Sequence, residues 1–328
     1  MSALENLTKS LRLKELKHLS AQLGLNVTGN KAALRAQILS LSLPAPQQQQ
    51  QQQDSRGKRI LSIDMGIRNM AYCVLDLPAD APQRPIVRHW TRQAVPLYSA
   101  PPRPEPSGKT TAATVAAPTA MGLPQLAAAA HALAHGLMAA HAPDHVLIER
   151  QRWRSASSKG VLEWTIRVNT LEAMLHAVLY TLRLQGHGPD GWTCESVDPG
   201  RVWSAVASAG GGHGGEGRVT SGMVKTLKKR VVRQWLREGN VIDLADGPPG
   251  SSGGSVLDAQ ELMLLSDGQS GAKRNGQRLT AADRKVDDLA DCLMQAVVWL
   301  RWQQNRRGLL EGRLPDAADV APPLLPDT

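Results

Sequence analysis

The amino-acid sequence predicts an α/β protein in which a mixed β-sheet is flanked by helices and preceded by a small helical domain. Three observations support this prediction. Residues 59–97 contain three short apolar runs of the kind that form adjacent strands. Residues 121–304 alternate short apolar runs with longer stretches of helical periodicity, and residues 11–43 carry two helical repeats of their own. This order is expected of a sheet covered by helices on both faces.

The N-terminal segment is predicted to be a helical hairpin that forms its own domain. Its apolar positions fall into two periodic groups, separated by a turn-like stretch at residues 24–30. Pro44 and the seven glutamines Gln47–Gln53 follow, and this composition cannot supply a face for packing. We therefore expect a domain at residues 1–43 and a flexible Pro/Gln-rich linker at residues 44–58.

The rest of the chain is predicted to form one larger domain, residues 59–307. Strands are expected at residues 59–64, 70–77, 86–97, 145–149 and 192–197, and helices at residues 121–142, 157–184, 220–237 and 283–304. Residues 99–118 and 247–276 lack periodicity and are expected to be insertions, with Gly-rich loops at residues 209–217 and 247–254. A disordered tail is expected at residues 308–328.

The charge of the chain favours a polyanionic partner. There are 38 Lys and Arg residues against 29 Asp and Glu, which gives a net charge of +9, and nucleic acid is the first candidate. Membrane attachment is not expected, because no run approaches the roughly 18 apolar residues of a spanning helix. Cys73, Cys194 and Cys292 lie far apart without the spacing of a zinc site or a disulfide framework, which fits a reducing compartment.

Acidic residues stand at the ends of two predicted strands. Asp64 ends the first strand and is followed by Gly66, which would let the backbone approach a metal or a phosphate closely. Glu149 ends an otherwise apolar strand. Taken alone, Asp64 could cap a turn and Glu149 could be a salt-bridge partner. Together they are candidates for the convergent carboxylates that hold two divalent cations roughly 4 Å apart in phosphodiester hydrolysis.

The last predicted helix begins with a third acidic element, Asp287, Asp288 and Asp291. Asp288 and Asp291 are three residues apart and Asp287 and Asp291 are four apart, so either pair can share one face of a helix. The adjacent pair cannot both face one site squarely. Acids also favour helix N-termini because of the helix dipole, so it is the order of the three acidic elements along the chain that favours a metal site.

Three segments of the sequence resemble the signature segments of one known family. They are residues 63–69, 148–155 and 285–291, with the sequences IDMGIRN, IERQRWRS and KVDDLAD. They resemble those of the fungal mitochondrial Holliday-junction resolvases, relatives of bacterial RuvC in the RNase H-like superfamily. The likeness spans residues 59 to about 305.

This resemblance implies the fold, the activity and the ligands. The fold would be RNase H-like, and the activity that of a structure-selective endonuclease, a homodimer that binds four-way DNA junctions in the mitochondrial matrix and makes paired symmetrical nicks. The implied metal ligands are Asp64, Glu149, Asp291 and one of Asp287 and Asp288. The implied cofactor is Mg²⁺, with Mn²⁺ as a substitute.

Basic residues cluster beside these acids and are predicted to contact DNA phosphates together with Asn69. They are Arg150, Arg152, Arg154, Lys159 and Arg167 in and after the second segment, and Lys225, Lys228 and Lys229 in a later helix. Trp153, at a position where the family is expected to have Phe, would stack on an unpaired base at a branch point. The simpler interpretations are a solvated charged face and a core aromatic.

The N-terminal hairpin is similar to a SAP-type DNA-binding motif over about 35 residues. That resemblance implies that Lys14, Lys17, Lys31 and Arg35 contact backbone phosphates without reading the base sequence. The alternative is a helical hairpin that docks another protein.

Two other functions remain open on the sequence. An RNase H-type nuclease that cuts RNA in a hybrid would share the acids but would recognise the 2′-hydroxyl group. A non-catalytic architectural protein of mitochondrial DNA would bind junctions without metal-dependent cleavage.

Overall fold

The computed structural model describes residues 3–42, 57–78, 84–95, 122–152, 162–209, 221–245, 252–266, 273–274, 277–278 and 286–313. The helices in these ranges are α1 (Ala3–Ser10), α2 (Leu13–Gln22), α3 (Lys31–Ser40), α4 (Leu123–His141), α5 (Glu163–Leu184), α6 (Pro199–Ala209), α7 (Ser221–Glu238), α8 (Ser252–Leu265) and α9 (Asp287–Leu310). The strands are β1 (Lys58–Asp64), β2 (Met70–Leu77), β3 (Ile86–Gln93), β4 (His145–Glu149), β5 (Thr193–Val197), β6 (Asp243–Leu244), β7 (Lys273–Arg274) and β8 (Gln277–Arg278).

The central sheet is mixed, as predicted, and has the strand order β5-β4-β1-β2-β3-β6. β1, β2 and β3 are antiparallel neighbours, and β4 and β5 extend the sheet in parallel with β1. Ile63 pairs with Ile148 across β1 and β4. Because parallel strands end at the same edge of a sheet, this register brings the next residues of both strands, Asp64 and Glu149, to one edge.

Helices cover both faces of the sheet. Leu61 and Ile63 of β1 face a core formed with α4 and α5, and Ile60 faces a second core formed with α6, α7, α8 and α9. Strand residues alternate between the two faces, and residues 60–64 of β1 are buried on both sides. This burial fixes the strand on which Asp64 stands.

Two helices of the larger domain were not predicted. α6 follows β5 directly, and α8 lies within residues 247–276, which were expected to be an insertion with a loop. Val256, Ala259 and Met263 of α8 are buried in the second core. Their helical spacing was hidden because the helix opens with the Ser and Gly residues that are typical of loops. Residues 99–118 and 314–328 lie outside the described residues.

The N-terminal domain contains three helices instead of the predicted two. Leu4 and Leu7 of α1 pack against the core that Leu16, Leu34 and Ile38 form with their neighbours in α2 and α3. The first helix was missed because the predicted periodic region began at residue 11. In this bundle α3 begins after Asn30, whose side chain accepts a hydrogen bond from the backbone N–H of Ala33, an ordinary N-cap.

The bundle is docked on the C-terminal half of α9. Trp302 Nε1 donates to the carbonyl O of Ala21 (3.0 Å), Asn305 Nδ2 to that of Gln22 (2.7 Å) and Arg306 Nε to that of Leu23 (2.8 Å). These three side chains satisfy carbonyls at the end of α2, which have no partner within the helix. Leu309 completes the apolar core of the bundle. The N-terminal domain is therefore packed on the larger one through specific contacts. The predicted linker, apart from residues 57–58, lies outside the described residues.

Candidate metal centre and nucleic-acid groove

Three of the predicted carboxylates converge at one edge of the sheet. Asp64 ends β1, Glu149 ends the neighbouring parallel strand β4, and Asp291 lies in the second turn of α9. One oxygen from each lies within 4.8 Å of the others. Hard oxygen ligands at this spacing suit a divalent cation such as Mg²⁺.

The electrostatics of this cluster also favour a cation. Burial raises the pKa of Asp64 well above its usual range, and the charges of Glu149 and Asp291 raise it further. Burial, with the charge of Asp291, raises the pKa of Glu149 to about 7. Lys228 opposes both shifts but does not cancel them. Carboxylates that repel each other in a buried place gain most from a bound metal ion, so the residues present fit the metal that the sequence implied.

The adjacent residues Asp287 and Asp288 have different surroundings. Asp288 lines the groove beside the cluster, and its charge contributes to the raised pKa of Asp64 and Glu149. Asp287 instead pairs with Lys229 (3.0 Å) and Lys225 (3.5 Å). Burial raises the pKa of Asp287, but these two lysines outweigh it and leave the pKa below its usual range. Asp288 therefore lies on the side of the cluster, whereas Asp287 forms ion pairs with two lysines.

Glu149, Asp288 and Asp291 line a groove of about 570 Å³ that also contains apolar, aromatic and basic side chains. Its lining includes Arg68, Asn69, Arg150, Arg152, Lys225 and Lys228. Lys228 Nζ lies 2.7 Å from Asp291 Oδ1. A groove that combines acids at its base with cations on its walls can accept a phosphodiester backbone beside a metal centre.

The segment that carries Glu149 is held at several points. The backbone N–H of Arg150 donates to the carbonyl O of Val197 (2.8 Å), and its side chain pairs with Asp198. The backbone N–H of Gln151 donates to the buried carboxylate of Glu172 (3.0 Å). These contacts fix the end of β4 against β5 and α5, and therefore the position of Glu149.

The structure gives a steric reason for glycine at position 66, in addition to the predicted close approach of a metal or phosphate. A Cβ atom at this position would lie 2.8 Å from the carbonyl O of Asn69, closer than real Cβ contacts allow. Glycine is therefore required for the tight turn between β1 and β2. The turn places Arg68 and Asn69 in the groove.

Several other predicted DNA contacts do not lie in the groove. Arg167 pairs with Glu163 on α5, and Lys229 pairs with Asp287. The N-terminal candidates lie on the bundle, where Lys14, Lys17 and Lys31 are exposed and Arg35 is half-buried. Trp153, Arg154 and Lys159 lie outside the described residues.

Two aromatic residues of the groove were missed in the sequence. Trp164 and Trp203 line it, and the guanidinium carbon of Arg68 lies 5.3 Å from the ring centroid of Trp164. Trp164 stands at the second position of α5 and remains 39% exposed. The signal available in the sequence was a Trp that follows the basic second segment.

The sequence and the fold are both similar to those of known proteins. The model of the family described as mitochondrial resolvase Ydc2 / RNA splicing MRS1 matches residues 60–309. The chain is 25% identical over 300 residues to the mitochondrial cruciform cutting endonuclease 1 of Schizosaccharomyces pombe, covering 90% of this chain and 93% of the relative.

Two solved structures were also compared with the chain. The crystal structure of the yeast mitochondrial Holliday junction resolvase Ydc2 matches with a TM-score of 0.57 and 22% identity, covering 92% of this chain and 97% of the other. A more distant match, with a TM-score of 0.36 and 13% identity over 75% of this chain and 95% of the other, is T. thermophilus RuvC in complex with a Holliday junction substrate. The predicted RNase H-like fold is confirmed by the match to Ydc2. No helix in the described part of the chain is long and apolar enough to span a membrane.

Proposed function

The chain belongs to the mitochondrial resolvase Ydc2 / RNA splicing MRS1 family, and from this premise we propose that it is a metal-dependent endonuclease that resolves four-way DNA junctions. The observation that carries the proposal is the convergence of Asp64, Glu149 and Asp291 beside a groove that carries five basic side chains. A protein that only bound nucleic acid would have no use for three carboxylates that repel both one another and the phosphates. The reaction is placed in mitochondria, as the name of the S. pombe relative indicates for that protein.

Each residue of the groove has a role in this proposal. Asp64, Glu149, Asp288 and Asp291 would hold Mg²⁺, which supplies an activated water for in-line attack on the phosphodiester and leaves a 5′-phosphate. Arg150, Arg152 and Lys225 would orient the DNA backbone. Lys228, which pairs with Asp291, would also contact the phosphate.

Paired symmetrical nicks need two active sites, and α5 supports the proposal of a homodimer. Its outward face carries Ile166, Ala173, Ala177, Tyr180 and Leu184, which recur at a spacing of three, four or seven residues. Ile166, Tyr180 and Leu184 are 48%, 56% and 69% exposed. Such a stripe is typical of a helix that packs against a second helix, and the second copy of the chain is the partner that symmetrical cleavage requires.

Two alternatives are distinguished by activity. The family description also includes an RNA-splicing protein, so a chain that acts on RNA or in a hybrid is the main alternative. An architectural binder would need the basic groove but not the carboxylates.

The experiment that separates these functions is a cleavage assay on matched labelled substrates. A four-way junction, a linear duplex, a single-stranded RNA and an RNA/DNA hybrid are incubated with the full chain, with and without Mg²⁺. The proposal predicts paired nicks in the junction only, and only with Mg²⁺. Preferential cutting of the hybrid, or tight junction binding with no nicking at any Mg²⁺ concentration, would contradict it.

A further inference from the structure

The candidate metal centre depends on how α9 is set against the sheet. Asp64 stands on β1, whereas Asp288 and Asp291 stand on α9. A helix turns by about 100° per residue, so a modest rotation of α9 would carry Asp291 away from Asp64. Apolar packing selects the face of α9 that turns to the sheet, but the hydrophobic effect is non-directional. Directional contacts between α9 and the sheet would fix the rotation more narrowly.

A buried pair of polar side chains provides such contacts. Gln295 Nε2 donates to Ser62 Oγ (3.0 Å) and, over 3.4 Å, to the carbonyl O of Ile63. Ser62 Oγ in turn donates to the carbonyl O of Cys292 (2.8 Å). Ser62 and Gln295 are both almost completely buried. Each element therefore both donates a hydrogen bond to the other and accepts one from it.

The position of this pair relates it to the metal centre. Ser62 stands two residues before Asp64, on the same face of β1. Gln295 stands about one helical turn after Asp291, on the same side of α9. The Ser62–Gln295 pair therefore lies next to the carboxylates on both β1 and α9.

Two further strands hold the same part of α9. Trp90 Nε1 on β3 donates to the carbonyl O of Leu289 (3.0 Å). Cys73 Sγ on β2 approaches the carbonyl O of Cys292 (3.4 Å). The turns of α9 that carry the carboxylates are therefore attached by side chains from β1, β2 and β3.

The polar pair is not an efficient way to stabilise the core. Buried polar groups cost free energy unless all their hydrogen bonds are made, and Gln295 Oε1 has no hydrogen-bond partner among the described residues. Two apolar side chains could fill the same space. We infer that Ser62 and Gln295 are positioning residues, which set the rotation of α9 so that Asp288 and Asp291 can share a cation with Asp64. This inference rests on the proposed function.

The test measures metal binding separately from cleavage. Mn²⁺ binding to the full chain is followed by the electron paramagnetic resonance signal of the free ion, for the wild type, Gln295→Met and Ser62→Ala. Gln295→Met keeps the approximate side-chain volume but removes the hydrogen bonds. Each variant is expected to bind Mn²⁺ about 10-fold more weakly, the lower range seen when groups that orient metal ligands are replaced. Junction affinity in EDTA is expected to stay unchanged, because the basic groove is intact.

Leu182→Ala is the matched control for a general loss of stability. Leu182 is buried in the other core, on α5. Its truncation should lower the melting temperature at least as much as the two test variants and leave the Mn²⁺ affinity of the folded protein unchanged. Ser62→Thr, which keeps the hydroxyl group, should bind Mn²⁺ more tightly than Ser62→Ala.

The outcomes separate the inference from the proposed function. Wild-type Mn²⁺ affinity in Ser62→Ala and in Gln295→Met would overturn the inference and leave the proposed function standing. An equal loss of affinity in Leu182→Ala would also overturn it, because the effect would then follow stability alone. A wild-type chain that binds no Mn²⁺ would remove the proposed metal centre and the inference with it. If Gln295→Met does not fold, the comparison of Ser62→Ala with Ser62→Thr decides.

Discussion

Lys228 Nζ lies 2.7 Å from Asp291 Oδ1, so a side-chain cation touches the carboxylate cluster that is expected to hold a metal cation. Both side chains are largely buried, where charge interactions are screened less than at the surface. The lysine and a metal ion would compete for Asp291. This competition gives Lys228 two effects of opposite sign.

Lys228→Met is expected to increase the affinity for Mn²⁺ and to decrease cleavage. Metal binding tightens because a nearby positive charge is lost, and cleavage of a bound junction falls about 10-fold or more because the phosphate loses a charged contact. Arg230→Met, an exposed position on the same helix, is the control and should change neither quantity. A Lys228→Met variant that binds Mn²⁺ more weakly would contradict this role.

Metal affinity is expected to rise with pH through about 7. The pKa of Glu149 is raised to about 7, so its carboxyl is partly protonated near neutral pH, and the pKa of Asp64 is raised as well. A cation must displace these protons. Mn²⁺ titrations at pH 6, 7 and 8 should therefore give dissociation constants that fall at each step. A constant that does not change over this range would show that the carboxylates are already ionised.

The same protonation gives Glu149 a contribution to stability that is present at pH 5 and lost by pH 8. Glu149 has an ordinary pKa of about 4.3 when the chain is unfolded and about 7 when it is folded. Between these values its carboxyl binds more protons in the folded state, so its contribution to the free energy of unfolding decreases as pH rises. Between pH 5 and pH 8 this contribution falls by an amount on the order of 3 kcal/mol. Glu149→Gln should remove that fall. In EDTA, the unfolding free energy of Glu149→Gln relative to that of the wild type should therefore increase from pH 5 to pH 8. An unchanged difference would show that the Glu149 carboxyl is not protonated in the folded protein.

In the N-terminal bundle, the side chains that are predicted to contact DNA are different from the residues that α9 holds. Lys14, Lys17 and Lys31 are exposed, whereas α9 holds the bundle through Trp302, Asn305 and Arg306. Replacing the three lysines by alanine should weaken junction binding and reduce the slope of log affinity against log salt by about 0.9 for each lost phosphate contact. Cleavage at saturating protein should persist. An unchanged salt slope would indicate a bundle that does not touch DNA.

Trp302→Ala should lower the stability of the protein, whereas the lysine replacements should lower its affinity for DNA. Its indole donates to α2 and packs against Gly24, where a side chain would collide with the ring. Loss of this contact should cost about 3 kcal/mol of unfolding free energy, as for other buried aromatic truncations. The lysine variant, measured alongside by denaturant unfolding, should keep wild-type stability. A bundle that is only tethered by a flexible linker would make Trp302→Ala nearly neutral.

Local patterns in the sequence were enough to predict the mixed sheet and the strand ends on which Asp64 and Glu149 stand. The choice between Asp287 and Asp288 could not be made, because it depends on Lys225 and Lys229 of a helix that is distant in the sequence. The Ser62–Gln295 contact is equally invisible, because it joins residues more than 200 positions apart. Trp164 was overlooked because its exposure depends on how α5 packs.

The proposed reaction requires that Asp64 hold a catalytic cation, and cleavage by Asp64→Asn measures this requirement. This variant keeps the size of the side chain but removes the charge that a hard divalent cation needs. Nicking of a four-way junction in Mg²⁺ should fall by roughly 1,000-fold, while junction affinity holds or increases because one anion near the phosphate is gone. Asp243→Asn, an acid on β6 that pairs with Arg84, should cut like the wild type. Near wild-type nicking by Asp64→Asn would show that Asp64 does not hold a catalytic cation.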